Sequence, residues 1–390
     1  MTRRPLAVSA AVLLTLSVAA CTDNSATSAD GDGALSVEST ADACEVSAAQ
    51  APSGTLTFSV TNSGDDVTEF YLLGEDGLRI ISEVENIGPG LTRDLVVQAG
   101  PGKYFTACKP GMVGEGIRHA FTVTDSGAEV GPSGAVGEQL AAAEESYVAY
   151  VKDQAGTLVA KTEEFAELYT SGDDAAARAA YAPTRVHWER IEPVAESFGD
   201  LDPLLDLREA DLEAGQEWSG WHYIEKDLWP PASGYTALSQ AEREAAAADL
   251  VDNTRRLVEQ VNAADFSFEA FQIGNGSKEL LDEIASGKVT GEEEIWSHTD
   301  LWDFQANVDG AYVAFEVLRD VAQTEDPALV ETLETRFADL ESLLAEQGSY
   351  QEGFTSYEDL SDVEVRELAA AVDAVGEPLS NLTATVTDAA

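Results

Sequence analysis

Apolar and polar residues follow two different periods along this chain. Leu56-Thr57-Phe58-Ser59-Val60-Thr61 alternates every second residue, as a strand with one buried face does, and Asn62-Ser63-Gly64 closes it as a turn. Further strands are predicted at Thr68–Leu73, Leu78–Val84, Arg93–Val97, Lys103–Ala107 and Arg118–Thr124, broken by Gly88-Pro89-Gly90 and Gly100-Pro101-Gly102. Short strands at close spacing predict an all-β sandwich over residues 42–125. A Gly/Ser/Pro-rich linker follows at 126–138. From residue 139 to 390 the period becomes helical. The first helix spans 138–169, with Leu140, Ala143, Tyr147, Tyr150, Val151 and Leu158 at helical spacing. Others are predicted at 174–198 (kinked near Tyr181 by Pro183), 203–214, 217–229, 236–263, 266–286, 300–323, 327–346 and 361–386. The fold class is therefore multidomain, a β-sandwich followed by an all-α helical bundle.

Before the sandwich, Arg3 and Arg4 precede an apolar run, Ala10 to Ala20, that is too short for a permanent transmembrane helix. Leu16-Ser17-Val18-Ala19-Ala20-Cys21 resembles a bacterial lipobox, so residues 1–21 read as a signal peptide with lipidation at Cys21. Residues 22–41, rich in Ser, Thr, Ala, Asp and Gly, read as a flexible tether to the membrane.

Charge narrows the function classes. With 72 acidic against 22 basic residues the net charge is −50, which argues against nucleic acid and favours cations. The cysteines Cys21, Cys44 and Cys108 lie in the first third, and all six tryptophans fall between Trp188 and Trp302. With Cys21 lipidated, Cys44 and Cys108 would be the remaining thiols in an oxidising compartment, where such a pair usually forms a disulfide.

The candidate chemistry centres on Gly220-Trp221-His222-Tyr223-Ile224-Glu225-Lys226-Asp227-Leu228-Trp229-Pro230-Pro231. His222 and Glu225 stand at i and i+3 on one helix face, and the two prolines end the helix. Glu189 and Glu192 repeat that spacing in an earlier helix. Three residues turn a helix by about 300°, so each pair converges on one side. Helical bundles build iron sites from such faces. Asp206, an acid among leucines, needs a partner if it is buried: a metal, or a salt bridge to Arg208 or Arg185. Glu283 is a further candidate. Arg185 and Arg190 offer compensation for excess carboxylate. Asp300 or Thr299 reads as a helix cap.

Two resemblances bear on these residues. Phe58–Gly64 and Tyr104-Phe105-Thr106-Ala107-Cys108-Lys109-Pro110-Gly111-Met112 resemble a cupredoxin, in which such a strand end delivers a cysteine ligand with a methionine nearby. A blue-copper site needs two histidines, and this region holds only His119, which argues against one. A modified site of Cys44, Glu69, Glu85 and Cys108, with Met112 or Glu83 as lesser candidates, and a Cys44–Cys108 disulfide both stay open. The helical part resembles the imelysin-like M75 family in Pro183–Pro193, in Gly220–Glu225 and in Ser297–Asn307. The order of lipobox, cupredoxin-like and M75-like domains is similar to the iron-uptake lipoproteins of EfeUOB-type systems. That resemblance implies metal binding at His222 and Glu225, extending to Glu189, Glu192 and Asp206. It also implies two partners, a membrane iron permease and a haem peroxidase-like protein, and an extracytoplasmic location on a lipid anchor. Carboxylates with imidazole suit Fe(II) or Fe(III); copper or zinc are the other ions considered. The expected function is iron capture and delivery, without catalysis. The alternatives are an M75 zinc-type metallopeptidase, although the chain has no HExxH and one HxxE does not supply a water and a general base, and a cation-bridged module for acidic polysaccharide.

Overall fold

The computed structural model describes residues 33–75, 77, 80–112, 116–127, 134–212, 215–286 and 288–388. The signal peptide, Cys21 and most of the expected tether lie outside them. Among the described residues no helix is long and apolar enough to cross a membrane.

Residues 35–124 form two sheets. One has the order β2-β1-β4-β7, from β1 (Leu35–Ser39), β2 (Cys44–Val46), β4 (Gly54–Asn62) and β7 (Thr92–Ala99). The other has the order β3-β9-β8-β5-β6, from β3 (Gln50–Pro52), β5 (Thr68–Leu73), β6 (Ile80–Ile87), β8 (Gly102–Cys108) and β9 (Ile117–Thr124). The period-two pattern is realised in β4, where Leu56, Phe58 and Val60 point inward. They meet Phe70, Leu72, Phe121 and Val123 of the other sheet, and Phe58 packs 5.2 Å from Phe70 between ring centroids. The tether is shorter than expected. Leu35 and Val37 are buried, and β1 pairs in parallel with β4, so the sandwich begins before residue 42.

The helical part comprises α1 (Gly134–Ser171), α2 (Asp174–Glu189), α3 (Leu201–Asp206), α4 (Trp221–Leu228), α5 (Gln240–Val261), α6 (Ala270–Ser286), α7 (Asp300–Glu325), α8 (Pro327–Gln347), α9 (Asp362–Leu379) and α10 (Leu382–Asp388). Three expectations are corrected. Helix α2 runs on through Pro183 and ends at Glu189; the chain then turns at Ile191 into a 3-10 segment, Glu192–Phe198, with Pro193 at its start. The helix expected at 203–214 is the short α3 followed by a 3-10 turn, Glu209–Asp211. The last helix divides at Ser380–Asn381, just after Pro378.

Helix α6 joins the two parts. Its Phe271 enters the sandwich core, Asn275 donates to Val96 O at 2.9 Å and lies 3.1 Å from Ser82 Oγ, and Asp282 pairs with Arg93 of β7. On the opposite side Gly276 lies against the 3-10 segment. A Cβ there would stand 1.7 Å from Pro193 O, so only glycine permits the approach.

Cys44 and Cys108 form a disulfide between the two sheets, 64 residues apart in sequence. Their sulfurs are therefore not thiolate ligands, and the expected Cys44–Glu69–Glu85–Cys108 set is not assembled. Glu69 is held by the Tyr71 hydroxyl at 2.5 Å and by Lys109 at 3.3 Å instead. Replacing both cysteines by alanine is predicted to lower the stability of the sandwich by about 4 kcal/mol, the loop-closure value for a loop of this length. Scanning calorimetry of the double variant checks this, with the sandwich transition shifting and the bundle transition staying in place.

Candidate metal centre

Helix α4 presents His222 and Glu225 inward, both buried. Its start is fixed by Gly220, whose φ is +88° and whose Cβ, if it had one, would lie 2.2 Å from Leu205 O. The glycine thus lets α4 press against the end of α3, which sets Asp206 beside the imidazole: His222 Nε2 lies 3.4 Å from Asp206 Oδ1. Trp188 Nε1 donates to Asp206 Oδ2 at 2.8 Å and orients that carboxylate.

The remaining wall comes from the segment between α6 and α7. Glu293 reaches within 3.6 Å of His222 Nε2, and Glu294 within 3.9 Å of Nδ1. Glu225 lies 3.6 Å from Nδ1. Its Oε1 accepts the amides of Trp296 (3.0 Å) and Ser297 (2.7 Å), which leaves Oε2 facing the ring. The imidazole thus stands between two carboxylate pairs. Asp206, His222 and Glu293 form one group whose ligand atoms lie within 4.8 Å of one another; His222, Glu225 and Glu294 form a second. The second is wholly buried. The first opens onto a cleft of about 500 Å³ lined also by Glu192, Asp202, Glu283 and Arg208. Both imidazole nitrogens and Glu225 Oε2 are buried without a close hydrogen bond, and the nearest groups to the ring are carboxylates at 3.4–3.9 Å, at ion-pair rather than hydrogen-bond distance.

Fixed cations run through the same network. Arg185 is fully buried and contacts Asp206, Glu189 (2.5 Å) and Glu294 (2.7 Å). Lys288, also buried, holds Glu189 at 3.2 Å and Glu192 at 2.7 Å, while the Asn307 amide donates to both acids. Glu189 and Glu192 do converge, as their spacing predicts, but on Lys288. They belong to neither histidine group. Glu283 lies on the cleft wall, also outside both groups. Of the two residues expected to cap α7, Thr299 holds the N-cap position, without a side-chain cap bond, and Asp300 lies in the first turn. The Asp300 side chain is buried and its Oδ1 accepts the Glu294 amide at 3.0 Å, inside the acidic network.

The crowding divides the acids. Burial raises the carboxyls of Glu294 and Asp303 well above their usual range, and neighbouring acids add to the effect. Burial alone would raise Glu293 too, but Lys288 and His222 outweigh it and hold it well below. Asp206 is likewise lowered against its burial, by Arg185 and His222. For His222, burial and the Arg185 charge oppose protonation, yet Glu225, Glu293 and Asp206 prevail and lift the imidazole to about 10. Without a metal ion, His222 is therefore an imidazolium at neutral pH. Glu293, Glu294 and Asp303 escaped the sequence analysis. The usable signal was the run Glu292-Glu293-Glu294 close before Trp296, a ring that packs against Trp218.

Gly220→Ala is predicted to destabilise the bundle by about 2 kcal/mol or more, since both the backbone angle and the Leu205 carbonyl oppose a side chain. Urea unfolding followed by tryptophan fluorescence, which reports this domain alone, checks it.

The comparisons with known proteins agree with this architecture. The imelysin pattern of the M75 peptidases matches residues 143–382. The chain is 35% identical over 343 residues to the iron uptake system component EfeO of Yersinia pestis, covering 87% of each. It is 33% identical over 342 residues to the protein of the same name from Escherichia coli K12, covering 87% of this chain and 88% of that one. With the family pattern running from within α1 to the first residue of α10 and including every residue of the histidine groups, the chain belongs to the imelysin family.

Proposed function

We propose that this protein captures iron outside the cytoplasmic membrane and passes it to a membrane iron permease, held near that membrane by lipid on Cys21. A haem peroxidase-like protein completes the system in this reading. The observation that carries the proposal is His222, a buried imidazole between two carboxylate pairs that stand 3.4–3.9 Å from its nitrogens, one pair open to a solvent cleft. Hard oxygen donors with one imidazole suit Fe(II) and Fe(III). The names of the relatives from Yersinia pestis and Escherichia coli point the same way.

The charge arrangement favours cargo over a permanently held ion. Arg185, Lys288 and Arg208 already neutralise part of the carboxylate excess, so an arriving cation competes with internal ones. Such competition weakens binding to a level from which release is possible. The group open to the cleft, Asp206–His222–Glu293, is the docking position, with the ion on Nε2. Glu225 and Glu294 face the other nitrogen and hold its proton, which fixes the ring as carboxylate partners do in other histidine sites.

Two outcomes follow. In the full chain His222→Ala with Glu225→Ala is expected to lower Fe(II) affinity at least 100-fold in anaerobic equilibrium dialysis with elemental analysis; an unchanged iron content rejects the site. Binding also has a proton signature. A ligating imidazole must lose the proton that its pKa of about 10 retains at neutral pH. Affinity therefore rises as pH increases from 6 to 8, and titration calorimetry at pH 7 in buffers of different ionisation enthalpy shows at least one proton released per ion. The same linkage acts on the metal-free fold. The histidine's contribution to stability is complete below its unfolded value of about 6.5 and is lost as pH rises through about 10.

A further inference from the structure

The carboxylate of Glu293 is held from two sides. Its Oε1 lies 3.6 Å from His222 Nε2, and its Oε2 lies 3.3 Å from Arg208 Nη1. The same guanidinium grips an acid outside the histidine groups, with Nε 2.7 Å from Asp211 Oδ2. We propose that Arg208 is a mobile counter-ion, a positioning residue that leaves Glu293 for Asp211 when an iron ion docks and returns to drive the ion out. This inference rests on the reading of His222 as the iron site.

Among the described residues, Arg185, Lys288 and Arg208 are the Arg and Lys side chains paired with Asp206, Glu293 or Glu294, and only Arg208 is free to move away. Arg185 is 0% exposed and Lys288 1%, and each is enclosed by acids of the interior. Arg208 is 29% exposed and Asp211 44%. Arg208 is also the nearest of the three to Glu293, since Arg185 and Lys288 stand at 3.9 Å. A guanidinium carries separate N–H groups for separate acids, so the Glu293 contact can break while the Asp211 contact persists. Asp211 follows at i+3 on the adjoining 3-10 turn, which keeps the second acid at hand. The backbone has no need to shift. Trp218 Nε1 donates to Leu207 O at 2.7 Å just before Arg208, and Lys226 pairs with Glu209 just after it.

Arg208 stands on the wall of both spaces that reach the docking position. It lines the cleft of about 500 Å³ together with Asp206, Asp211 and Glu293. It also lines a smaller cavity of about 190 Å³ together with His222 and Glu293. An ion entering by either meets the guanidinium beside Glu293. Two cations on one carboxylate repel each other, more strongly near the protein than in open water. The divalent ion carries twice the charge and gains Asp206 and His222 as well, so it takes Glu293 and the guanidinium retreats to the exposed acid. Release runs the exchange in reverse. As the ion loosens, Glu293 would be a buried carboxylate without a partner, and that cost draws Arg208 back.

The test uses Fe(II) and the full chain without oxygen. Equilibrium dialysis gives the affinity, and stopped-flow transfer of bound Fe(II) to saturating ferrozine gives the release rate. Both are measured in the parent, Arg208→Gln, Asp211→Asn and the double variant. Arg208→Gln is expected to tighten binding at least tenfold, mostly through slower release. Asp211→Asn is expected to weaken binding at least threefold in the parent and to have no effect beside Arg208→Gln, because it acts through the guanidinium. Circular dichroism of all three is expected to match the parent, since both residues are solvent-accessible. Unchanged or weaker binding by a folded Arg208→Gln overturns the proposal. An Asp211→Asn effect of equal size in both backgrounds also overturns it, since plain loss of an acid near a cation would give that result. His222→Ala/Glu225→Ala, measured alongside, separates the two readings. Iron binding that ignores those two residues overturns the site and the counter-ion together. Iron binding that needs them but ignores Arg208 overturns the counter-ion alone.

Discussion

The arrangement of the bundle depends on one guanidinium. Arg185 is completely buried and meets carboxylates from α2, from the end of α3 and from the segment before α7. Each of these acids would be prohibitively expensive alone in a dry interior, because a lone buried charge loses far more hydration than the protein returns. Two opposite charges 4 Å apart recover about 4 kcal/mol at an effective dielectric of 20. Arg185 and Lys288 together make the burial of Glu189, Asp206 and Glu293 tolerable. They do not balance every acid around them, and burial holds the carboxyls of Glu294 and Asp303 well above their usual range, which makes them the acids readiest to take a proton. The resulting interior is charged, held in place, and short of positive charge beside a histidine. In the function proposed above, a metal ion entering there finds its ligands already oriented.

That constraint explains why the site is assembled from elements far apart in sequence. Helix α4 delivers an imidazole and a carboxylate at i and i+3, α3 ends on Asp206, and the loop before α7 wraps two glutamates and two amides around them. The aromatic residues around α4 support this geometry from behind. Trp221 packs against Phe165 and Tyr181, which fixes the face of the helix that points away from the site.

Much of this was legible in the sequence, and the remainder had physical reasons to be hidden. Period two and period 3.6 separate the domains because each has one buried face to satisfy. The i, i+3 spacing puts His222 and Glu225 on one face, and an acid among leucines marks Asp206 as buried. The same spacing shows that Glu189 and Glu192 converge but not on what, and the answer, Lys288, lies about a hundred residues away on another element. Glu293 and Glu294 sit in a loop, where no periodicity reports burial. The two cysteines gave a real ambiguity, since a disulfide and a pair of thiolate ligands both need proximity in the fold. Strand β1 was hidden by its setting: Leu35 and Val37 are isolated apolar residues in a polar stretch, and only their parallel pairing with β4 makes them structural.

The central claim is that an ion displaces a proton from His222 and binds its Nε2 while the other nitrogen keeps its hydrogen beside Glu225 and Glu294. The most direct measurement is nitrogen-15 NMR of the histidine side chains, of which the chain has four, in the metal-free protein and after loading with Zn2+ as a diamagnetic probe. The account predicts that one ring passes at neutral pH from an imidazolium to an imidazole with Nε2 bound to metal and Nδ1 protonated, and that this ring is absent in His222→Ala. If the ion binds while the His222 ring keeps the shifts of a free imidazolium, the account is contradicted.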